Sequence, residues 1–213
     1  MNQFYKTGIR SLPVLIATSA FVGALMVIQT GSYVRSTGAT AYVGTTAAVA
    51  VFSQLGPVLL GLMFSGRVGA NNTAELGTMA VTEQIDAMRM LAIDPVKFLI
   101  LPRFLVMLLV MFLLAGIGDL ISLIFGAITA QGLLGIDFRV FWQGVVSHNH
   151  LDDFFLGIVK SVFFGASISI ISCYYGMNVK GGATGVGKAV NNSVVASAMA
   201  IFVVDFVVTV LWG

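Results

Sequence analysis

The chain has 213 residues, of which 58% are hydrophobic and only 9% charged, with a mean hydropathy of +0.98. A soluble domain carries roughly 25% charged residues, so most of this chain must face lipid or other apolar helices. The net charge of +2 is too small to imply a nucleic-acid partner, and the single cysteine, Cys173, excludes an internal disulfide or a multi-cysteine metal site.

Windows of about 20 apolar residues mark membrane spans. Five occur, at 11–31, 42–65, 97–129, 154–178 and 189–212. Lys6 and Arg10 precede the first, but its apolar run exceeds the ~7–15 residues of a signal-peptide core and no clear cleavage site follows. We expect it to be a retained span. The third window is long enough to tilt, to kink at Pro102 or to begin as an interfacial helix. No linker, repeat or low-complexity segment interrupts the chain. The expected architecture is all-α integral membrane, one domain over 1–213.

Between the second and third windows lies a polar stretch, residues 66–103. It holds both glutamates, Glu75 and Glu83, and the cations Arg67, Arg89, Lys97 and Arg103. Such a segment is costly to place in lipid and should lie on a membrane surface. Asn72 followed by Glu75 resembles a capping box, with Asn for the usual Ser or Thr, and predicts a helix start near Thr73. A second piece from Thr82 places Ile85, Met88 and Ala92 on one face, with Glu83, Asp86 and Arg89 around it. Asp94-Pro95 breaks the chain again, Asp as a cap and Pro in the first helical turn. Two short helices with a turn would present carboxylates and Met88 to a soluble partner; the plainer alternative is a solvated loop with no partner.

Five spans place the N-terminus, the 66–97 segment and the 179–188 loop on one side. That side carries Lys6, Arg10, Arg67, Arg89, Lys97, Arg103, Lys180 and Lys188, against Arg35, Arg139 and Lys160 toward the other. The positive-inside rule makes the first side cytoplasmic.

Gln131–Asp153 is an external connection with a short helix expected near Phe138–Val146. Its HNHLDD run (His148, His150, Asp152, Asp153) could bind a metal, but polar residues at a span boundary are far commoner, and no metal site is expected. Small residues at Ser161, Gly165 and Ser169 line one face of the fourth span, fitting packing within the chain or between copies alike. Gly182, Gly187 and Lys188 fit G-x-x-x-x-G-K, but Ala189 stands where the Mg²⁺-holding hydroxyl belongs and no strand precedes, so nucleotide binding is rejected. Asp119, Lys160 and Asp205 fall within spans, where ionisable groups point to function; Asp119 and Lys160 are expected to pair, and Cys173 to be a small buried side chain. No nucleophile with a base and no catalytic carboxylate pair can be assembled. The chain is not expected to be an enzyme.

The residues LGPVLLGLMFSGRVGANNTAELGTMAVTEQIDAMRMLAIDP, the Pro102-Arg103 pair, YYGMNVKGGATGVGKAVNNSVVAS and VVDFVVT resemble the MlaE/YrbE family of ABC-transporter permeases, which work with MCE proteins in lipid transport. The resemblance implies a homodimeric permease in a bacterial inner membrane, N-terminus cytoplasmic, moving phospholipid to or from a periplasmic hexameric MCE protein and maintaining outer-membrane asymmetry. Cytoplasmic ABC ATPase subunits would carry ATP and Mg²⁺, often with a small STAS-domain protein, and this chain would hold no cofactor. The segment matching Thr73–Ala92 would be the coupling helix, making Glu75, Glu83, Gln84, Asp86 and Arg89 docking residues and Met88 an apolar anchor. By the same analogy Met26, Tyr33 and Val34 would line the lipid cavity. Many relatives carry Arg-Glu where this chain has Ser53 and Gln54, so the charged pair is missing here. A rival from another class is a proton-coupled secondary transporter using Asp119, Lys160 and Asp205, though inverted repeats and paired broken spans are missing.

Overall fold

The computed structural model describes residues 12–37, 42–147 and 151–212, with side chains placed for 12–31, 42–146 and 151–212. Every regular element among them is helical. Among the described residues, five helices are long and apolar enough to cross a membrane. They are α1 (Leu12–Thr37), α2 (Tyr42–Val81), α4 (Val96–Leu134), α6 (Leu151–Met177) and α7 (Gly182–Trp212). Two shorter helices join them: α3 (Gln84–Met90) and α5 (Phe138–Ser147).

The second span does not stop near residue 65. Its helix runs on to Val81 through two wide π-helical turns, Ala50–Leu55 and Ser65–Gly69. The first wide turn follows from Pro57, which has no N–H to give a carbonyl on the preceding turn. The Gly56 amide reaches back to the Val51 carbonyl, one residue beyond the α-helical acceptor. The helix start expected near Thr73 is therefore absent: Asn72 and Thr73 lie buried inside a continuing helix, Ala70–Val81, which has no side-chain cap. Their polar groups find partners on other helices, so there was no need to begin a new one.

Small residues set the close approaches, as expected where lipid removes the hydrophobic drive between helices. At Gly23 of α1 a Cβ would come within 1.8 Å of the Ser122 carbonyl oxygen of α4, and the Ser122 hydroxyl donates to the Ser19 carbonyl (2.8 Å). Gly165 of α6 lies against Met111 and Leu108 of α4, so the small-residue face of the fourth span is used within the chain. Phe64, Met111, Phe164, Ile168 and Ile201 meet at the centre of the bundle. A second cluster around Val27, Val43, Ala127 and Phe141 fixes α5, the expected short helix, across one end. At the opposite end Asp94 Oδ1 accepts the Val96 amide (2.9 Å). Pro102 sits in the first turn of the regular α-helix Leu101–Leu134, after a π-helical turn at Val96–Ile100, and not at a mid-span kink.

Candidate functional site

The α2–α4 connection is built around α3, held at a defined angle by two backbone reversals. Glu83 (φ 59°) and Ala92 (φ 57°) are both left-handed, at helix ends where glycine is usual. The Glu83 amide donates to the Ala80 carbonyl (3.2 Å) and the Ile93 amide to the Met88 carbonyl (3.0 Å). One face of α3 is turned inward: Ile85 is buried, and Met88 packs with it against Leu76, Leu99 and Cys173. Met88, half-buried, therefore helps to hold α3 against its own bundle. The outward face carries Glu83, Gln84, Asp86 and Arg89, all exposed, with Arg89 Nη1 3.0 Å from Asp86 Oδ1. Sequence reasoning missed Met90 and Leu91, which are 88% and 72% exposed beside these charges. Their place just outside the apolar stripe was the available clue.

Beneath α3, a polar cluster ties four helices together. Arg103 of α4 donates from Nη1 to Asn72 Oδ1 (2.8 Å), and its Nη2 lies 3.3 Å from Glu75 Oε2. Asn72 Nδ2 in turn donates to Ser172 Oγ of α6 (2.8 Å) and contacts Cys173 Sγ (3.4 Å). Thr73 Oγ1 is 2.9 Å from Ser193 Oγ of α7. Glu75, expected as a docking carboxylate, is turned toward Arg103 and also accepts from Asn71 Nδ2 (3.2 Å). Hydrogen bonds of this kind contribute about 0.5–1.5 kcal/mol net each, and far more is lost when one partner is removed and the other stays buried.

The intramembrane charges pair differently from expectation. Lys160 of α6 is fully buried and donates to the Ser53 carbonyl of α2 (2.7 Å). That carbonyl is free because its α-helical donor would be the missing N–H of Pro57. Lys160 Nζ also lies 2.8 Å from Asp205 Oδ1 of α7, a charge contact whose angle is not that of an aligned hydrogen bond. Thus Lys160 pairs with Asp205, not with Asp119. Gly157, one turn earlier on α6, lets the helix approach the Phe52 carbonyl, where a Cβ would come within 2.1 Å. The ammonium can reach Ser53 because of that approach.

Of the remaining candidates, Met26 is half-buried on α1, while the side chains of Tyr33 and Val34 lie outside the described residues. His148 and His150 also lie outside them; Asp152 and Asp153 open α6. Among the described residues no three His, Cys, Asp or Glu side chains gather as a metal site. Residues 182–188 form the first turns of α7, not a phosphate-cradling loop after a strand. Cys173 is buried, as expected.

A family model described as Permease MlaE matches residues 1–211. A probable ABC transporter permease protein of Rickettsia typhi is 37% identical over 211 residues, covering 99% of this chain and 82% of the relative. A probable ABC transporter permease protein of Synechocystis sp. is 35% identical over 206 residues, covering 97% and 78%. The chloroplastic protein TRIGALACTOSYLDIACYLGLYCEROL 1 of Arabidopsis thaliana is 34% identical over 209 residues, covering 98% of this chain and 60% of its own length.

Proposed function

This chain belongs to the MlaE permease family of ABC transporters, and on that premise we propose that it moves phospholipid or a related lipid between a bacterial inner membrane and a periplasmic MCE protein. The transport would maintain the lipid asymmetry of the outer membrane. Residues 1–213 act as one permease domain, paired with a second copy of itself. Separate cytoplasmic ABC ATPase subunits bind and hydrolyse ATP with Mg²⁺, a small STAS-domain protein attends them, and a hexameric MCE protein sits on the outer face. The N-terminus and the α3 end are cytoplasmic, in keeping with the bias of lysine and arginine to that side.

The observation that carries this reading is the division of α3 into two faces. Ile85 and Met88 fasten it to the bundle, while Glu83, Gln84, Asp86, Arg89, Met90 and Leu91 project outward. A rigid tip with exposed apolar side chains among charges suits docking in a groove of the ATPase. Displacement of the tip is passed to the spans through the Glu75–Arg103–Asn72 contacts, and the cavity lined by Met26, Tyr33 and Val34 changes shape. A lipid cargo also accords with the Arabidopsis relative, which is named for a lipid. Membership in an ABC permease family weighs against a carrier driven by protons alone.

The test is isolation of the chain from its native membrane, identification of the accompanying subunits and mass spectrometry of bound lipid. Replacing Asp86 with Arg and Met90 with Glu together should strip the ATPase from the complex and lower lipid transfer by about tenfold or more, equivalent to about 1.4 kcal/mol of docking energy. Full ATPase recruitment and unchanged transfer in that variant would remove α3 from the interface.

A further inference from the structure

Asp119 is the buried ionisable group left unexplained by the contacts above. Its residue is 2% exposed on α4, and neither carboxyl oxygen has a hydrogen-bond partner among the described residues. One oxygen lies against Gly56 of α2, where a Cβ would come within 2.9 Å of it.

Residues 12–31 of α1 and 43–64 of α2 contain no Asp, Glu, Lys, Arg, His, Cys or Tyr, and Tyr42 is at the far tip of α2. From α6 come Lys160, already held by Ser53 and Asp205, the acids Asp152 and Asp153 in its first turn, and Cys173, Tyr174 and Tyr175 toward its other end. Asp137 and Arg139, at the start of α5, are exposed. On α4 itself Lys97 and Arg103 belong to the opposite end, and Arg103 is committed to Glu75 and Asn72. Arg67, further along α2, is about three helical turns from Gly56, so among the described residues no cation is left for Asp119.

An ionised carboxylate without cation or donor costs several kcal/mol in such surroundings, and a neutral acid costs far less. Charge balance agrees: Lys160 and Asp205 cancel, so an ionised Asp119 would leave one uncompensated negative charge among the described residues inside the bundle. We propose that Asp119 is a proton-binding site in the membrane interior, holding its proton at neutral pH. Ser53, whose carbonyl takes the Lys160 ammonium, and Gly56, against which Asp119 rests, are only three residues apart on α2. That separation is about 4.5 Å of helical rise. A movement of the Ala50–Leu55 turn that brought the ammonium to Asp119 would release the proton, so the site couples protonation to the shape of α2. The inference goes beyond the lipid-permease reading and does not depend on it.

Infrared difference spectroscopy tests it on the full chain in bilayers of ether-linked lipid, which contribute no ester carbonyl band. Wild type minus Asp119→Asn at neutral pH should contain a protonated-carboxyl C=O band that shifts in D₂O and is lost in the variant. A difference containing only carboxylate stretches overturns the proposal. Should Asp119→Asn fail to fold, Asp119→Ser, smaller and uncharged, takes its place in the subtraction. An acid band at neutral pH that is lost in that variant supports the site, and carboxylate bands alone overturn it. Neither ATP nor cargo enters the measurement, so its outcome is separate from that of the transport assay.

Discussion

Arg103 Nη1 and Asn72 Oδ1 are 2.8 Å apart, joining helices whose contributing residues are 31 positions distant in the chain. The same asparagine reaches Ser172 on a third helix, so a single side chain bridges two others across the base of the bundle. Arg103→Ala should destabilise the chain by about 2–4 kcal/mol, because it leaves Asn72 and Glu75 short of their partner. Arg103→Lys should recover only part of that loss, since an ammonium cannot serve both groups with the planar fork of a guanidinium. Thermal unfolding in detergent or bilayer discs measures the ordering wild type, Lys, Ala; a Lys variant no better than Ala would mean that the alkyl stem alone matters.

Lys160 and Asp205 predict a non-additive pair. Lys160→Met alone strands Asp205, and Asp205→Leu alone strands a buried ammonium; each should cost about 3–5 kcal/mol. The double variant should regain most of that loss, as removal of both charges leaves only packing to repair. Asp119→Asn should give no such rescue of Lys160→Met. A rescue by Asp119→Asn equal to that by Asp205→Leu would show that the lysine serves both acids equally.

Glu83 predicts a separation of stability from coupling. Its left-handed backbone costs a non-glycine residue about 1–2 kcal/mol, so Glu83→Gly should raise the unfolding midpoint while removing an outward carboxylate. ATPase stimulation or recruitment should fall in the same protein. A variant that is less stable than wild type would indicate that the side chain, not the backbone, holds this turn.

Gly23 predicts a packing failure. A methyl group there collides with the backbone of Ser122 at 1.8 Å, and backbone cannot step aside as a flexible side chain can. Gly23→Ala should cost at least about 1–3 kcal/mol by forcing α1 from α4. Gly116→Ala, where nothing lies within 4 Å, is the control and should be neutral or slightly stabilising.

The spans were legible from composition because the bilayer fixes a length that only long apolar helices meet. The break at Asp94-Pro95 and the short α5 were legible from local chemistry. Asn72 misled because a helix-start residue and a buried interhelical donor look alike along the chain, and its partners are 31 and 100 positions away. Lys160 was assigned the wrong acid because span depth alone does not separate Asp119 from Asp205. The missing clue was Pro57: a proline in a span frees a carbonyl, and Gly157 with Lys160 one turn later supplies an approach and a donor. The inward packing of Met88 was not legible because periodicity finds an apolar stripe without saying which body it meets. Here it packs, half-buried, against the cluster that contains Leu76 and Leu99 of its own chain.

The 40-residue length of α2 has a mechanical meaning. At about 1.5 Å per residue it measures roughly 60 Å, twice the ~30 Å thickness of a hydrocarbon core. Such a rod behaves as a beam that outreaches the slab it crosses, and a rock of roughly 5° about its midpoint swings each tip by about 3 Å. Its two wide turns are the places where bending stiffness is lowest, since their backbone bonds are already off α-helical register. One of those soft points lies beside the Lys160–Asp205 pair and the other one turn below Thr73. Bending there would let the α3 tip and the far end of α2 move by unequal amounts, as the arms of a jointed lever do.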